Sequence, residues 1–159
     1  MEFFLKPIGL IKSPFKDKNS APHQGRFSEE ISEIEIFPEF EEGLRDIEKC
    51  PYLILLYWLH EANRNSLIAV PPFSGREHGV FATRSPNRPN PIGFSVVKLI
   101  ERRGRFLKVK WLDAIDNTPL LDIKPYSSAL DCVEDAKIGW YESENKKQEI
   151  TSQEHKSSS

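Results

Sequence analysis

Four polar side chains in a proline-rich stretch are the strongest candidates for chemistry in this sequence. Two arginines and two asparagines are interleaved with three prolines within residues 79–99: Arg84, Asn87, Arg88 and Asn90. Proline fixes its own φ and disfavours helix in the residue before it, so the stretch is predicted to be a shaped loop. Such a loop aims guanidinium and amide groups before a ligand arrives, which suits an anionic or heteroaromatic ligand. The alternative is a connector whose arginines pair with surface carboxylates.

A second group of polar residues lies further along the chain. Asp113, Asp116 and Asp122 surround an Asn-Thr-Pro segment. Their carboxylates could bind a ligand, or they could equally cap turns, because Asp and Asn next to Pro are typical of turns. His60 ends an apolar run, a position where a lone histidine is more often structural than catalytic.

Two further groups of residues give weaker indications of function: a basic run, for phosphate binding, and a set of residues of metal-ligating type. The basic run is Arg102, Arg103, Arg105, Lys108 and Lys110. On a hairpin its alternating members would share one face toward a phosphate backbone, although a solvated face is the commoner explanation for any one of them. The residues of metal-ligating type, His60, Glu61, Glu77 and His78, lack a diagnostic spacing, so no metal is predicted.

The elements that must position these residues are predicted to be mainly β-strands. Residues 31–37 alternate polar and apolar side chains, and residues 52–59 form a continuous apolar run typical of a core strand. Further strands are predicted at 6–11, 66–70, 80–83, 94–101 and 105–112, with a hairpin turn at Arg103 and Gly104. The spacing of Phe40, Leu44 and Ile47 predicts a short helix. No strand–helix alternation or glycine fingerprint is present, which argues against a Rossmann sheet.

Composition bounds the class of protein. A chain of 159 residues with 38% hydrophobic content suits one domain, and its net charge of −2 argues against nucleic-acid binding through a bulk positive field. Two cysteines, Cys50 and Cys132, favour a reducing compartment and hence a cytoplasmic protein. The longest apolar run is too short to cross a bilayer. Residues 142–159 are polar and serine-rich, which predicts a disordered tail after a domain at 1–141.

Several short motifs together resemble one family. They are Pro7-Ile8-Gly9, Ser13-Pro14-Phe15, Pro22-His23-Gln24, Trp58-Leu59-His60, the loop at 79–99, the segment from Asp116 to Tyr126, and Gly139-Trp140. This pattern is similar to the TsaA-like family, also called TrmO. The resemblance implies a β-barrel domain that uses S-adenosylmethionine to methylate N6 of threonylcarbamoyladenosine beside the anticodon of tRNA. It also implies a homodimer.

The sequence departs from the family pattern in two places. Asn117 stands where the family usually has glycine, and the additional C-terminal domain of the longer bacterial members has no counterpart. The first departure affects a turn, and the second affects substrate recognition.

The resemblance implies a set of residues for binding the cofactor S-adenosylmethionine. They are Pro22, His23, Gln24, His60, Glu61, Arg84, Phe94, Asp113, Ala114, Ile115 and Asp116. Gln24 can exchange hydrogen bonds with the cofactor, and Arg84 can hold its carboxylate through a bidentate fork. Phe94 offers an apolar wall. Asp113 or Asp116 could accept bonds from the ribose hydroxyls or balance the cofactor's positive charges.

Methyl transfer to the acceptor nitrogen would be helped by a base, because that nitrogen is part of a urea. We expect Asp122, Tyr126 or His60 to serve, with Asp116 as a further candidate. Substrate contacts are expected from Arg88, Asn87, Asn90 and Lys124, the last to the threonyl carboxylate or a phosphate. The arginine and asparagines could instead brace their own loop. The alternative function is a barrel that binds the cofactor or nucleic acid without methylating tRNA.

Overall fold

Eight strands are present in the computed structural model, which describes residues 1–22 and 25–157. In chain order they are β1 (Gly9–Lys12), β2 (Ser32–Ile36), β3 (Tyr52–Trp58), β4 (Ile68–Ala69), β5 (His78–Gly79), β6 (Ile92–Arg103), β7 (Phe106–Lys110) and β8 (Thr118–Pro125). Six of them close a barrel in the order β1-β2-β7-β6-β3-β8, and β4 pairs with β5 separately. All strand pairings among the described residues are antiparallel. The predicted mainly β fold without a Rossmann sheet is therefore confirmed.

The barrel core follows from the period-two pattern of its strands. In β2, Ile34 and Ile36 are buried while Glu33 and Glu35 stay partly exposed, as their alternation predicts. Ile34 pairs with Ile11 on one neighbouring strand and with Leu107 on the other. All three side chains are fully buried. Each such burial contributes about 1.5–3 kcal/mol, so one face of each strand drives closure of the barrel.

The hairpin predicted between the strands at 94–101 and 105–112 is present. β6 and β7 are joined through Gly104, which has φ of 57° and therefore occupies a conformation that favours glycine. The predicted strand at 80–83 is wrong, because Val80–Ala82 forms a 3-10 helix. The predicted helix near residue 44 is split into two 3-10 helices, Pro38–Leu44 and Ile47–Lys49. Asp46 separates them with φ of 71°, which a continuous helix cannot accommodate.

The chain groups into two compact units. The first contains residues 1–62 and 90–131, and thus the whole barrel together with α1 (Ser128–Asp131). The second contains residues 63–89 and the chain from residue 132, including β4, β5 and α2 (Gly139–Ser157). Within the described residues, no helix has the length and apolar character needed to span a membrane.

Helix α2 differs from the disordered tail expected after residue 141. The predicted boundary falls inside this helix, whose Glu144 is only 7% exposed. The composition of this segment does not predict the helix, because a few contacts, such as those of Trp140 and Glu144, and not an apolar face, hold its start. The domain bounds 1–141 and 142–159 stay a prediction.

Candidate functional site

A half-buried polar cluster lies next to the core residues of the barrel unit. The hydroxyl of Tyr57 donates to Oδ1 of Asp113 at 2.9 Å and lies 2.7 Å from Oγ of Ser95. Ser95 Oγ is in turn 3.5 Å from the same carboxylate oxygen. Tyr57 is 3% exposed, so its hydroxyl depends on these partners. The cluster holds Asp113 in one orientation and leaves Oδ2 without a recorded hydrogen bond among the described residues.

Gly93 makes this cluster possible. It pairs with Tyr57 across β3 and β6, and a Cβ at position 93 would lie far inside van der Waals distance of the Tyr57 ring. Because glycine has no side chain, the ring can lie flat against the strand and aim its hydroxyl at Asp113. Tyr57, Ser95 and Gly93 were not among the residues predicted for the site. The signal that could have identified them is an aromatic residue paired with a glycine on the neighbouring strand. Recognising it requires the register between β3 and β6, which the sequence alone does not give.

The segment before Asp113 is strained and tightly packed. Trp111 has φ of 75°, which is rare for a large side chain and costs about 1–3 kcal/mol. Its ring stacks on Tyr52 with centroids 5.7 Å apart, and the Arg26 guanidinium lies 4.1 Å from the ring centre. A Cβ on Gly25 would lie 2.5 Å from the carbonyl oxygen of Trp111. Gly25 therefore lets its own backbone pack closely against the segment that carries Asp113.

Asp116 braces the loop rather than pointing freely to a ligand. Its Oδ1 accepts a bond from the Ser13 amide at 2.9 Å, and its Oδ2 pairs with Nζ of Lys16 at 2.9 Å. The hydrogen bond from Lys16, and then that from Ser13, hold the pKa of Asp116 below its usual value. The neighbouring Asn117 has φ of 63°, the conformation for which the family's glycine is suited and which Asn tolerates.

Asp122 lies on the opposite face of the sheet from Tyr57. Leu56 pairs with Phe94 on one side and with Asp122 on the other, and successive side chains along a strand alternate between faces. Phe94 and Asp122 therefore share a face that Tyr57 and Ser95 do not. Asp122 lies 3.1 Å from Nζ of Lys124, and its Oδ1 accepts a bond from the next amide.

The other predicted residues of the barrel unit occupy separate positions. Ala114 is buried, Pro22 and Ile115 are half-buried, and His60, Glu61 and Asn90 are exposed. Tyr126 follows β8, where its amide donates to the carbonyl of Tyr52 at 3.0 Å. The described residues show no hydrogen bond between any two of His60, Asp122 and Tyr126. His23 and Gln24 lie outside the described residues.

The predicted substrate residues of the second unit brace their own loop. Arg88 donates to three backbone carbonyls: from Nη2 to Val80 at 2.8 Å and to Thr83 at 2.6 Å, and from Nε to Ser85 at 2.8 Å. The side chain of Asn87 accepts from the amide of Asn63 at 2.9 Å. The bracing alternative thus describes both residues. Arg84 is exposed.

The basic run is not an open cationic patch. Each member has an acidic neighbour in the pairs Arg102–Glu48, Arg103–Glu101, Arg105–Glu35, Lys108–Glu101 and Lys110–Glu29. Arg102 also donates to the carbonyls of Leu44 and Gly104. The interpretation of this run as a phosphate-binding face is therefore not supported. In the described part of the chain, no group of three His, Cys, Asp or Glu residues could hold a metal ion.

Comparison with known proteins defines the class of the barrel. The family model described as tRNA-methyltransferase O N-terminal domain matches residues 10–132. The chain belongs to this family, which confirms the resemblance drawn from its motifs. A crystal structure of TrmO from Pseudomonas aeruginosa matches with a TM-score of 0.74 at 36% identity, covering 87% of this chain and 62% of that chain.

Two curated relatives come from Archaeoglobus fulgidus. One, named "Probable S-adenosyl-L-methionine-binding protein", is 65% identical over 147 residues, which cover 92% of this chain but 40% of that protein. The other, named "S-adenosyl-L-methionine-binding protein", is 56% identical over 129 residues, covering 81% and 93%. The chain therefore spans less than half of one relative and about the same length as the other.

Proposed function

We propose that this chain binds S-adenosylmethionine and transfers its methyl group to tRNA, at N6 of threonylcarbamoyladenosine beside the anticodon. Membership of the tRNA-methyltransferase O N-terminal domain family is the observation that carries the proposal. The names of the A. fulgidus relatives support the cofactor.

The residues around Asp113 fit this cofactor. Asp113 Oδ1 is held by Tyr57, whereas Oδ2 has no recorded partner in the described residues, so it can accept bonds from ribose hydroxyls or an ammonium group. Gly25 lies against the same segment and follows directly after the predicted cofactor residues His23 and Gln24. When bound, S-adenosylmethionine supplies a methyl group made electrophilic by its sulfonium.

The chain's own residues would then provide orientation and a base. Fixing donor and acceptor on one axis can lower the barrier by several kcal/mol, which suits the strained, packed segment that holds Asp113. His60, Asp122 and Tyr126 remain the proposed bases. Asp122 and Lys124 form an ion pair at 3.1 Å, so substrate carboxylate binding by Lys124 would release Asp122. His60 is exposed. The further cofactor roles of Pro22, Glu61, Arg84, Phe94, Ala114, Ile115 and Asp116 stay predictions.

The experiment that tests the proposal measures binding and turnover separately. Calorimetry with S-adenosylmethionine is expected to show binding to the parent and about tenfold weaker binding to Asp113→Asn, which removes a charge-assisted acceptor. Methylation is then measured on tRNA with and without threonylcarbamoyl. Transfer to the modified tRNA alone is expected. Transfer to both tRNAs would contradict the proposed acceptor.

A second function is favoured by the relative of similar length that is named only as a binding protein. In that case the chain would bind S-adenosylmethionine without methylating tRNA. Cofactor binding with no methylation of any tRNA would select this alternative.

We also propose a homodimer and a cytoplasmic location, for which sedimentation of the purified chain and cell fractionation are the respective tests.

A further inference from the structure

The second unit carries a set of packed aromatic rings. The rings of Phe73 and Trp140 are nearly parallel, with centroids 6.1 Å apart and 6° between their planes. Tyr141 packs edge-to-face with Phe73 at 4.7 Å, and His78 stacks on Trp140 at 4.0 Å. Phe73 and Tyr141 nevertheless remain 38% and 37% exposed. Two rings of this set thus present aromatic surface to solvent.

Hydrogen bonds fix two of the four rings, those of Trp140 and His78. Nε1 of Trp140 donates to the carbonyl of Ala82 at 2.9 Å. Nε2 of His78 lies 3.2 Å from Oε1 of Glu144 and 3.1 Å from Oγ of Ser74. Glu144 is 7% exposed, so this contact is sheltered from water. Because the rings are already ordered, a flat ligand stacking on them would lose little side-chain entropy of the protein.

An exposed arginine lies three residues from Phe73 in the same loop. Its backbone is fixed, since the Arg76 amide donates to Oγ of Ser74 at 3.0 Å and Gly75 adopts φ of 66°. Arg76 is exposed, and the described residues give its guanidinium no ion pair. The loop therefore carries an exposed cation three residues from the exposed ring of Phe73, next to the exposed Glu77. This combination is typical of proteins that bind single-stranded nucleic acid, in which bases stack on rings and cations contact phosphates.

We propose that Phe73, Tyr141 and Arg76 bind an unpaired nucleotide of the RNA substrate, with its base on the rings and its phosphate at Arg76. The inference rests on the proposed tRNA substrate, whose anticodon loop offers unpaired bases. RNA is favoured as the occupant because this loop combines exposed rings with a cation that has no ion pair in the described residues, whereas the cations of the basic run are paired with carboxylates.

The test uses the full chain and two RNA probes. One probe is an anticodon stem–loop, and the other is a duplex of the stem sequence without unpaired bases. The variant Phe73→Leu keeps an apolar side chain but removes the aromatic face, and Tyr141→Leu does the same for the second ring. Arg76→Gln removes the charge, and Arg103→Gln is the matched control because its exposed guanidinium pairs with Glu101.

We expect Phe73→Leu and Tyr141→Leu each to weaken stem–loop binding about tenfold while leaving duplex binding unchanged. Arg76→Gln should weaken binding to both probes by about threefold and lower the slope of log affinity against log salt by about one. Arg103→Gln should bind as the parent does. Calorimetry with S-adenosylmethionine should give the parent affinity for all four variants, and circular dichroism should show that they are folded.

Each other outcome counts against the inference. Parent-like stem–loop affinity in both ring variants and in Arg76→Gln would overturn it and leave the proposed function intact. A parent that binds S-adenosylmethionine but neither RNA would overturn both the inference and the tRNA substrate. A change in oligomeric state on ring substitution, seen by sedimentation with RNA affinity unchanged, would assign the rings to a protein interface instead.

Discussion

The β6–β7 hairpin of the barrel unit and the loop at 71–78 of the second unit both expose arginine, but of these two segments the described residues show ion pairs only in the hairpin. Arg103 donates to Glu101 at 2.8 Å, and Lys108 lies 3.4 Å from the same carboxylate. Arg76 has backbone contacts from Ser74 but no ion pair in the described residues. A cation beside a carboxylate attracts phosphate less, because the two charges cancel at distances beyond the pair.

The comparison teaches that the number of cations in a segment does not by itself identify an anion-binding surface. The hairpin has five basic residues within nine positions, yet each has an acidic neighbour. The loop at 71–78 has a single arginine, which lies three residues from the exposed ring of Phe73. The hairpin geometry explains part of the difference, because Lys108 lies opposite Glu101 across β6 and β7, and Arg103 lies two residues from Glu101 on the same face of β6.

The largest loss of stability is expected from a substitution in the barrel unit that changes packing and not charge. Gly93→Ala places a Cβ inside the ring of Tyr57, so the ring must move and lose its bond to Asp113. We expect the free energy of unfolding to fall by about 3 kcal/mol and S-adenosylmethionine affinity to fall with it. Denaturant titration and calorimetry measure these quantities.

The matched control for this change is Gly43→Ala. A Cβ at position 43 meets nothing within 4 Å, so the same substitution should leave stability unchanged or slightly higher. Equal losses in the two variants would show that the packing of Tyr57 on Gly93 is not the cause.

The second-largest effect should separate the two arginines of the second unit. Arg88→Ala removes the guanidinium that donates to three carbonyls; the carbonyl of Val80 keeps its bonds from the Thr83 amide and hydroxyl, whereas those of Thr83 and Ser85 lose the donor that Arg88 supplies. We expect a loss of about 2 kcal/mol in the free energy of unfolding, whereas exposed Arg76→Ala should change it by less than about 0.5 kcal/mol. Arg88→Lys should not rescue stability, because an ammonium lacks the guanidinium fork. Parent stability in Arg88→Ala, with RNA affinity lost, would return Arg88 to the substrate site.

Only features with a local signal in the sequence could be predicted from it. The strands were predictable because Ile34 and Ile36 alternate with glutamates, and alternation is a local signal. The sequence alone does not distinguish a bracing role of Arg88 from a ligand-binding one, since its acceptors at 80, 83 and 85 are backbone carbonyls that any sequence provides. The Tyr57–Asp113 bond joins residues 56 positions apart and depends on strand register, so composition and spacing could not reveal it. The anchoring of α2 through Glu144 was hidden for the same reason.

A smaller, pH-dependent effect is expected where the barrel unit pairs another cation. Lys16 and the Ser13 amide lower the pKa of Asp116 in the folded protein. A lowered folded pKa means that this stabilisation is fully present above the unfolded Asp value of about 3.9 and is lost as pH falls through the folded pKa.

Asp116→Asn should therefore cost about 1 kcal/mol at pH 7, a modest loss because Lys16 is largely exposed to solvent. The difference from the parent should shrink below about pH 4. Thermal unfolding from pH 7 to pH 3 measures it. A stability difference that stays constant with pH would show that the ionised carboxylate is not what stabilises the loop.

The smallest effect is expected on the hairpin itself. A triple variant, Glu101→Gln with Arg103→Gln and Lys108→Gln, removes two cations and one anion and so lowers the net charge by one, as Arg76→Gln does. Because the three charges already neutralise one another in part, we expect stem–loop RNA affinity within twofold of the parent and an unchanged salt slope. Fluorescence anisotropy titrations at several salt concentrations compare the two variants directly. If the triple variant loses affinity as Arg76→Gln does, total charge governs RNA binding, and the distinction between the hairpin and the loop at 71–78 fails.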